Sequence, residues 1–242
     1  MAGIDILLIV PFSEEYAKTT ADHFVADLLV KRLGTQELVI GYDYAFGKGR
    51  SGNIDFIKKQ GKILGFSVDV VEAHYEQNQL VSSSRIRQLV IEGRMADARF
   101  LLGRYYQIRG TVQVGKQRGG KEVGFPTANL KLEEEDLVPK RGVYVTQVIC
   151  DGKCYGGILN IGYNPTFGEE QLVVETHIFD FNRDIYGRPI KLNLLKFLRS
   201  EKKFSGVKEL SEQIVKDVVI AKEVLTTQQK ELTMSCSERF NQ

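Results

Sequence analysis

The first half of the chain alternates apolar runs typical of strands with amphipathic stretches typical of helices. Residues 4–10 form a nearly continuous apolar run, as expected for a strand buried on both faces. Residues 37–41 and 67–71 predict two further strands, and residues 54–64 predict a helix between them. Because strands that alternate with helices favour a parallel, doubly wound sheet, we predict an α/β domain over residues 1–104.

From about residue 108 the pattern changes to short alternating runs separated by turn residues. Asp151 and Gly152 stand between two such runs, and this pair is a strong signal for a two-residue hairpin turn. Apolar residues at helical spacing predict a final helix from about Ser205, whereas the polar segment 226–242 is expected to be loosely held. The predicted strands cover residues 143–150, 155–161, 173–181 and 190–197.

The composition is that of an ordinary soluble globular protein. With 43% hydrophobic residues, 26% charged residues and a net charge of only +2, it favours neither nucleic acid nor an anionic membrane as a partner. Residues 4–10 are too few to span a bilayer and do not resemble a signal peptide. We interpret Cys150 and Cys154, which flank the predicted hairpin, as structural thiols of a reduced, cytoplasmic protein. These features do not indicate an oligomeric state.

A glycine-rich, basic run at residues 115–121 precedes the sequence Gly-Phe-Pro-Thr-Ala-Asn at residues 124–129. Thr127 and Asn129 lie two positions apart, so both side chains point the same way on an extended segment. A hydroxyl and an amide oxygen are hard donors that suit a hydrated Mg²⁺ shared with a nucleotide, and glycine lets backbone N–H groups approach phosphates closely. The pattern is suited to Mg²⁺ and ATP; taken alone, it also fits an ordinary glycine-rich hairpin loop.

Residues 115–121 also match the G-x-x-x-x-G-K pattern of a P-loop. That motif needs a Ser or Thr at the next position, where this chain has Glu122. It also needs a following helix, whereas Pro126 and extended-looking residues stand there instead. We therefore reject the P-loop interpretation.

Four further segments follow in order, and the five together resemble the riboflavin kinase domain of bacterial bifunctional riboflavin kinase/FMN adenylyltransferases. The resemblance covers about residues 105–225. It implies an antiparallel β-barrel with a C-terminal helix over residues 105–242, which transfers the ATP γ-phosphate to the riboflavin 5′-hydroxyl and releases FMN. The five segments are residues 124–129, 139–144, 160–167, 175–181 and 197–201.

The resemblance implies roles for residues on the phosphate side of this domain. Glu175 would be the catalytic carboxylate that orients the 5′-hydroxyl and accepts its proton. Thr127 and Asn129 would hold Mg²⁺ as the cofactor. The ATP phosphates would lie against Gly115, Lys116, Gly119, Gly120, Lys121 and Gly124.

The resemblance also implies contacts with the flavin. Arg199 would border the isoalloxazine edge, and Asn160 and Phe167 would help to shape the pocket. His177 shares a strand face with Glu175, and we interpret it as a structural residue.

Two segments of the first half resemble parts of the family's adenylyltransferase domain. Residues 41–50 resemble one of its loops, and Ser84, Arg85 and Arg87 match its second phosphate-binding motif, in which a helix N-terminus and two arginines would hold ATP phosphates. The chain has no match to that domain's Gly-x-Phe-Asp-Gly-x-His-x-Gly-His loop. We therefore expect a truncated, nucleotidyltransferase-like domain over residues 1–104 that makes no FAD.

Two other functions stay open at this point. One is a bifunctional enzyme that also converts FMN to FAD, and the other is a non-catalytic flavin-binding protein. Thr127, Asn129 and Glu175 argue against the second, because simple flavin binding requires neither metal ligands nor a base.

Overall fold

The computed structural model describes residues 3–114, 124–133, 136–166 and 169–239. The chain divides into two compact units, Met1–Leu80 and Val81–Gln242. The first is an α/β unit with a small parallel sheet. The second contains, in the part that the structure describes, a closed β-barrel with three helices.

The first unit begins with helical segments. A 3-10 turn (Tyr16–Lys18) precedes helix α1 (Ala21–His23), which continues directly as a π-helix (Phe24–Arg32). These segments pack on the sheet through a core that consists of Ala21, Val25, Leu29, Ile40, Phe46, Ile57 and Phe66.

The parallel sheet forms where the sequence predicts it. Strands β1 (Glu37–Gly41) and β2 (Ser67–Val71) pair in parallel, and helix α2 (Ile54–Leu64) connects them. Helix α2 begins after Asn53, whose side chain accepts a hydrogen bond from a first-turn N–H at 2.9 Å, and ends at Gly65 in the left-handed conformation. Both predicted strands and the predicted helix are confirmed. A small hairpin of β3 (Tyr75–Glu76) and β4 (Gln79–Leu80) ends the unit.

The prediction of a buried strand at residues 4–10 is wrong. These residues form no strand and are exposed, with Ile6 at 85% and Ile9 at 79% exposure. A strand buried on both faces needs neighbouring strands to pair with. Within the residues that the structure describes, the parallel sheet has two strands, and these pair with each other.

Six strands form the closed barrel of the second unit, and all neighbours are antiparallel. Asp151 and Gly152, with φ of 49° and 73°, make the turn between the third and fourth of them, which confirms the predicted hairpin. The order around the barrel is β10-β5-β6-β9-β8-β7. The strands are β5 (Tyr106–Gln113), β6 (Ala128–Lys131), β7 (Gly142–Cys150), β8 (Lys153–Thr166), β9 (Glu169–Ile178) and β10 (Pro189–Arg199).

Two helices share the core of the barrel. Helices α3 (Ser83–Ile91) and α4 (Met95–Leu102) bury Leu89, Val90 and Met95 together with interior strand residues. The boundary predicted at residue 104 assigns both helices to the first domain. The compact units divide after Leu80, and the apolar faces of these helices are buried with barrel residues; the domain boundary near residue 104 stays a prediction.

Helix α5 (Val207–Arg239) covers part of the outer face of the barrel. It begins near Ser205 as predicted, but it continues to Arg239, within the segment expected to be loosely held. Leu, Lys, Gln and Glu in that segment favour helix, which accounts for the continuation. Among the residues described, no helix has both the length and the apolar character needed to cross a bilayer. The helix packs on the barrel through Ile214, Val218, Ala221, Val224 and Leu225.

Candidate active site

One residue from each barrel strand lies in a single row of strand pairing. Residues directly opposite each other on neighbouring antiparallel strands place their Cβ atoms about 4.5–5.5 Å apart. Four residues predicted for the site belong to this row, although they are far apart in the sequence. The pairing row consists, in the order β5, β6, β9, β8, β7 and β10, of Gln113, Asn129, Glu175, Asn160, Val143 and Arg199.

The polar middle of the pairing row faces outward. This middle part consists of Asn129, Glu175 and Asn160. Each has a neighbour along its strand, namely Leu130, Val174 and Ile161 respectively, that is buried in the barrel interior. Because successive side chains of a strand point to opposite faces, the polar members point away from the interior. Val143, the next residue of the row, packs in the cluster beneath helix α5. The polar part of the row therefore lies on the outer surface beside that helix.

Glu175 is the acidic group of the pairing row. Its side chain is half-buried, and burial raises the pKa of the carboxyl group. Its partners in the row, Asn129 and Asn160, are neutral amides. Of the side chains that the structure describes, none forms an ion pair or hydrogen bond with Glu175. A partly desolvated, unpaired carboxylate is a stronger base than an exposed one and keeps its oxygens available for a ligand.

The two candidate metal ligands lie at the start of β6 and in the loop that precedes it. Asn129 is half-buried in β6, and Thr127 is exposed just before that strand. The ring Nδ1 of His177 lies 2.8 Å from the carbonyl oxygen of Pro126. Because a carbonyl can only accept, Nδ1 donates the hydrogen in this contact. His177 therefore ties the loop to β9 next to Thr127, and Gly124, the first described residue of this part of the loop, has a φ of +80°.

This donor set fits a metal that is held mainly by a nucleotide. In the described part of the chain, no group of three or more His, Cys, Asp or Glu side chains could hold a metal ion. Thr127 and Asn129 supply two neutral oxygen donors instead. Mg²⁺ in nucleotide sites keeps several waters and phosphate oxygens, so a few protein ligands suffice.

Arg199 ends β10 and is held by helix α5. Its Nε lies 3.1 and 3.0 Å from the two carboxylate oxygens of Asp217, and its Nη2 lies 2.7 Å from one of them. The guanidinium carbon lies 5.7 Å from the ring centre of Phe204. Since 23% of the Arg199 side chain stays exposed, its outer edge can still reach a ligand.

Glu201 is a second carboxylate of this surface, and the sequence motifs assign it no role. A Cβ at Gly162 would lie 1.9 Å from Oε1 of Glu201 and 3.5 Å from Nδ2 of Asn160. The Glu201 carboxylate therefore occupies the space above Gly162, next to Asn160. Its position two residues after Arg199, within the last of the five motifs, is the sequence signal that could have identified it.

The remaining predicted site residues lie elsewhere on the chain. Ser84, Arg85 and Arg87 are exposed at the start of α3, whose N-cap is Ser82, and their binding of phosphate stays a prediction. Six predicted residues lie outside the described part of the chain: Gly115, Lys116, Gly119, Gly120 and Lys121 of the phosphate loop, and Phe167 of the flavin pocket.

Two cavities lie away from the pairing row. One, of about 500 Å³, is lined by Arg109, Asp151 and Lys191 of the barrel. The other, of about 320 Å³, lies in the first unit and is lined by aromatic residues that include Phe24 and Tyr44. Neither is lined by a member of the row, so the chemistry of the side chains, and not cavity size, identifies the candidate site.

Two family models match the chain. The riboflavin kinase model matches residues 102–225, and the FAD synthetase model matches residues 1–85. The bifunctional riboflavin kinase/FMN adenylyltransferase of Bacillus subtilis is 40% identical over 220 residues, which cover 89% of this chain and 68% of the relative. The protein of the same name from Escherichia coli is 37% identical over 222 residues, which cover 91% of this chain and 70% of the relative.

A solved structure is also similar. The crystal structure of a macrolide-efflux protein from Streptococcus pneumoniae matches with a TM-score of 0.76 and 34% identity, covering 87% of this chain and 67% of that one. The sequence matches confirm the resemblance that the five motifs indicated. The chain belongs to the bifunctional riboflavin kinase/FMN adenylyltransferase family.

Proposed function

We propose that the pairing row is the active site with which this chain, a riboflavin kinase, transfers the ATP γ-phosphate to the 5′-hydroxyl of riboflavin. The observation that carries the proposal is the position of Glu175, on the outer face between Asn129 and Asn160. In this proposal the base, one metal ligand and a polar neighbour come from three adjacent strands. FMN and ADP are the products.

Glu175 acts on the acceptor hydroxyl. Its carboxylate accepts a hydrogen bond from the 5′-hydroxyl, orients the oxygen towards the γ-phosphate and takes the proton as the new P–O bond forms. Partial burial supports this role because it raises the pKa of Glu175 and so strengthens it as a base. Phosphoryl transfer depends mainly on positioning and charge stabilisation, so the base assists and does not dominate.

Thr127 and Asn129 hold the nucleotide side of the reaction. Their oxygens would bind Mg²⁺ together with the phosphates of ATP, and the ion would neutralise charge on the transferring phosphoryl group. The hydrogen bond from His177 to the Pro126 carbonyl keeps the loop, and with it Thr127, against the strand that carries Glu175. In this proposal the contact keeps a nucleotide-side ligand close to the base before either substrate binds.

The direction of the pairing row orients the flavin. Glu175 and Arg199 are separated by three strand spacings, about 14 Å along the barrel surface. This span suits a whole riboflavin molecule, with the 5′-hydroxyl of its extended ribityl chain at Glu175 and the far edge of its ring system near Arg199. Asn160 lies between them and can bond hydroxyls of the ribityl chain.

Synthesis of FAD is the second candidate function, because the FAD synthetase model matches residues 1–85.

We place the protein in the cytoplasm and assign it no nucleic-acid partner, in keeping with its net charge of +2.

The deciding experiment incubates the protein with riboflavin, ATP and Mg²⁺ and separates the flavins by chromatography. FMN as the sole product is expected. FAD in addition would support the bifunctional enzyme, and unchanged riboflavin would refute the kinase. Repeating the reaction with excess chelator tests the metal, and an undiminished rate would contradict the proposed role of Mg²⁺.

A further inference from the structure

Helix α5 places a carboxylate in the middle of its barrel-facing side. Asp217 is only 2% exposed, and Ile214, Val218 and Ala221 around it pack on the barrel. A buried charge is costly unless it is paired and hydrogen-bonded, and an apolar residue of similar volume is often at least as stabilising. Packing alone therefore gives no reason for an acid at this position.

The contacts of Asp217 fix one guanidinium in a single orientation. Both carboxylate oxygens accept from Nε of Arg199, and one also accepts from Nη2 at 2.7 Å. Nε2 of Gln213, one turn earlier on the same helix, also donates to Oδ1 of Asp217 at 2.9 Å, which helps to fix the carboxylate itself. A paired contact of this kind sets the plane of the guanidinium as well as its position.

This arrangement leaves donors of Arg199 directed away from the helix. Arginine has five N–H groups. One on Nε and one on Nη2 bond Asp217, and one on Nη1 donates to the carbonyl oxygen of Ser200 at 3.2 Å. The other two have no acceptor among the residues that the structure describes. They lie on the edge of the guanidinium that Asp217 does not cover.

We propose that Asp217 is a positioning residue for flavin binding, which holds Arg199 so that its free N–H groups meet the carbonyl-bearing edge of the flavin ring. Helix α5 is then part of the substrate site, and Gln213 contributes indirectly by holding Asp217. The proposal rests on the flavin contact proposed above for Arg199. It extends that function to residues that touch neither substrate.

A double-mutant cycle tests the proposal. Riboflavin affinity is measured by flavin fluorescence, without nucleotide, for the wild type, Arg199→Gln, Asp217→Asn and the double variant. Arg199→Gln and Asp217→Asn are each expected to weaken binding about ten- to a hundredfold, since loss of positioning alone can have effects of this size. The double variant is expected to bind no more weakly than Arg199→Gln alone, because Asp217 acts through Arg199. The KM for ATP should stay unchanged throughout.

The controls separate positioning from stability. Glu212→Gln changes an exposed acid on the same helix and should leave riboflavin affinity unchanged. Gln213→Ala keeps the ion pair and is expected to weaken riboflavin binding less than Asp217→Asn does; it serves as the test if Asp217→Asn fails to fold in a thermal melt. In that case a Gln213→Ala affinity equal to the wild type overturns the proposal.

The outcomes distinguish the two proposals. If Arg199→Gln weakens binding and Asp217→Asn does not, or if the two effects add fully in the double variant, the positioning role is refuted and the kinase site stands. If Arg199→Gln itself leaves affinity unchanged while FMN is still formed, the flavin contact of Arg199 and the positioning role both fail. If neither the wild type nor any variant forms FMN, the proposed function fails.

Discussion

Glutamine at position 175 keeps the shape of the side chain and removes its ability to accept a proton. Both neighbours in the pairing row are amides, so the change breaks no ion pair among the residues described. A positioned general base contributes about 10²–10⁴-fold to the rate, or about 2.7–5.4 kcal/mol of transition-state stabilisation. We therefore expect Glu175→Gln to lower kcat for FMN formation at least a hundredfold or so. The affinities for riboflavin and ATP should change little.

The raised pKa of Glu175 gives this substitution a second signature. The base must be ionised, so wild-type kcat/KM should fall as the pH drops through a pKa above the ordinary glutamate value of about 4.3. Glu175→Gln should lose this acidic limb from the pH profile. The measurement is FMN formation, followed by chromatography from neutral to acidic pH.

A fall in pH should affect the stability of the protein in the opposite direction to its activity. Because the folded-state pKa of Glu175 lies above the unfolded-state value, its stabilising contribution is present below the unfolded pKa and is lost as the pH rises through the folded pKa. At neutral pH the wild type bears the desolvation of this carboxylate, so Glu175→Gln should melt at the same temperature or higher. Glu212→Gln, an exposed acid on α5, is the matched control and should alter neither property. A loss in kcat below about tenfold, or an acidic limb that persists in the variant, would refute the assignment of Glu175 as the base.

Substitutions at the metal and loop contacts should affect the nucleotide and spare the flavin. Thr127→Ala and Asn129→Ala are each expected to slow FMN formation at limiting Mg²⁺ and to leave riboflavin binding without nucleotide unchanged; wild-type rates at limiting Mg²⁺ would contradict the metal site. His177→Phe removes the hydrogen bond to the loop and is expected to raise the KM for ATP about fivefold, as for the loss of roughly 1 kcal/mol. An unchanged KM in that variant would show that this contact does not hold the loop. The purified 242-residue chain is expected to form no FAD from FMN and ATP, because it does not match the family's adenylyltransferase loop with its two histidines, and its own histidines contact separate partners. His23 contacts Asp27, His74 contacts Glu76, and His177 contacts the carbonyl oxygen of Pro126. FAD in that reaction would show that other residues carry out adenylyl transfer.

Local sequence signals identified the elements whose own residues decide their structure. The bounds of β1 and α2 agree with the prediction because a strand pattern, an Asn cap and a stopping glycine are all local. The apolar run at residues 4–10 misled for the opposite reason. A strand exists only if another strand pairs with it, and the run itself does not contain that information.

The candidate site shows the same division. Family motifs pointed to Asn129, Glu175, Asn160 and Arg199, but their common row depends on the register of six strands that are distant in sequence. Asp217 was missed although a signal was present. It falls among the apolar positions of α5, where an unexplained acid indicates a buried partner.

Because the barrel is closed, the site is complete only after the last strand has been synthesised and has paired with the first. Gln107 on β5 and Asn193 on β10 are 86 positions apart and hydrogen-bond at 2.7 Å, so the first and last strands meet at one seam. Pairing over such distances is slow to form. During translation, Thr127 and Glu175 are synthesised before Arg199, and helix α5 is synthesised after it. Kinase activity in a translation reaction therefore requires that β10 has been added and has paired with β5 and β7, and not only that the earlier strands have formed.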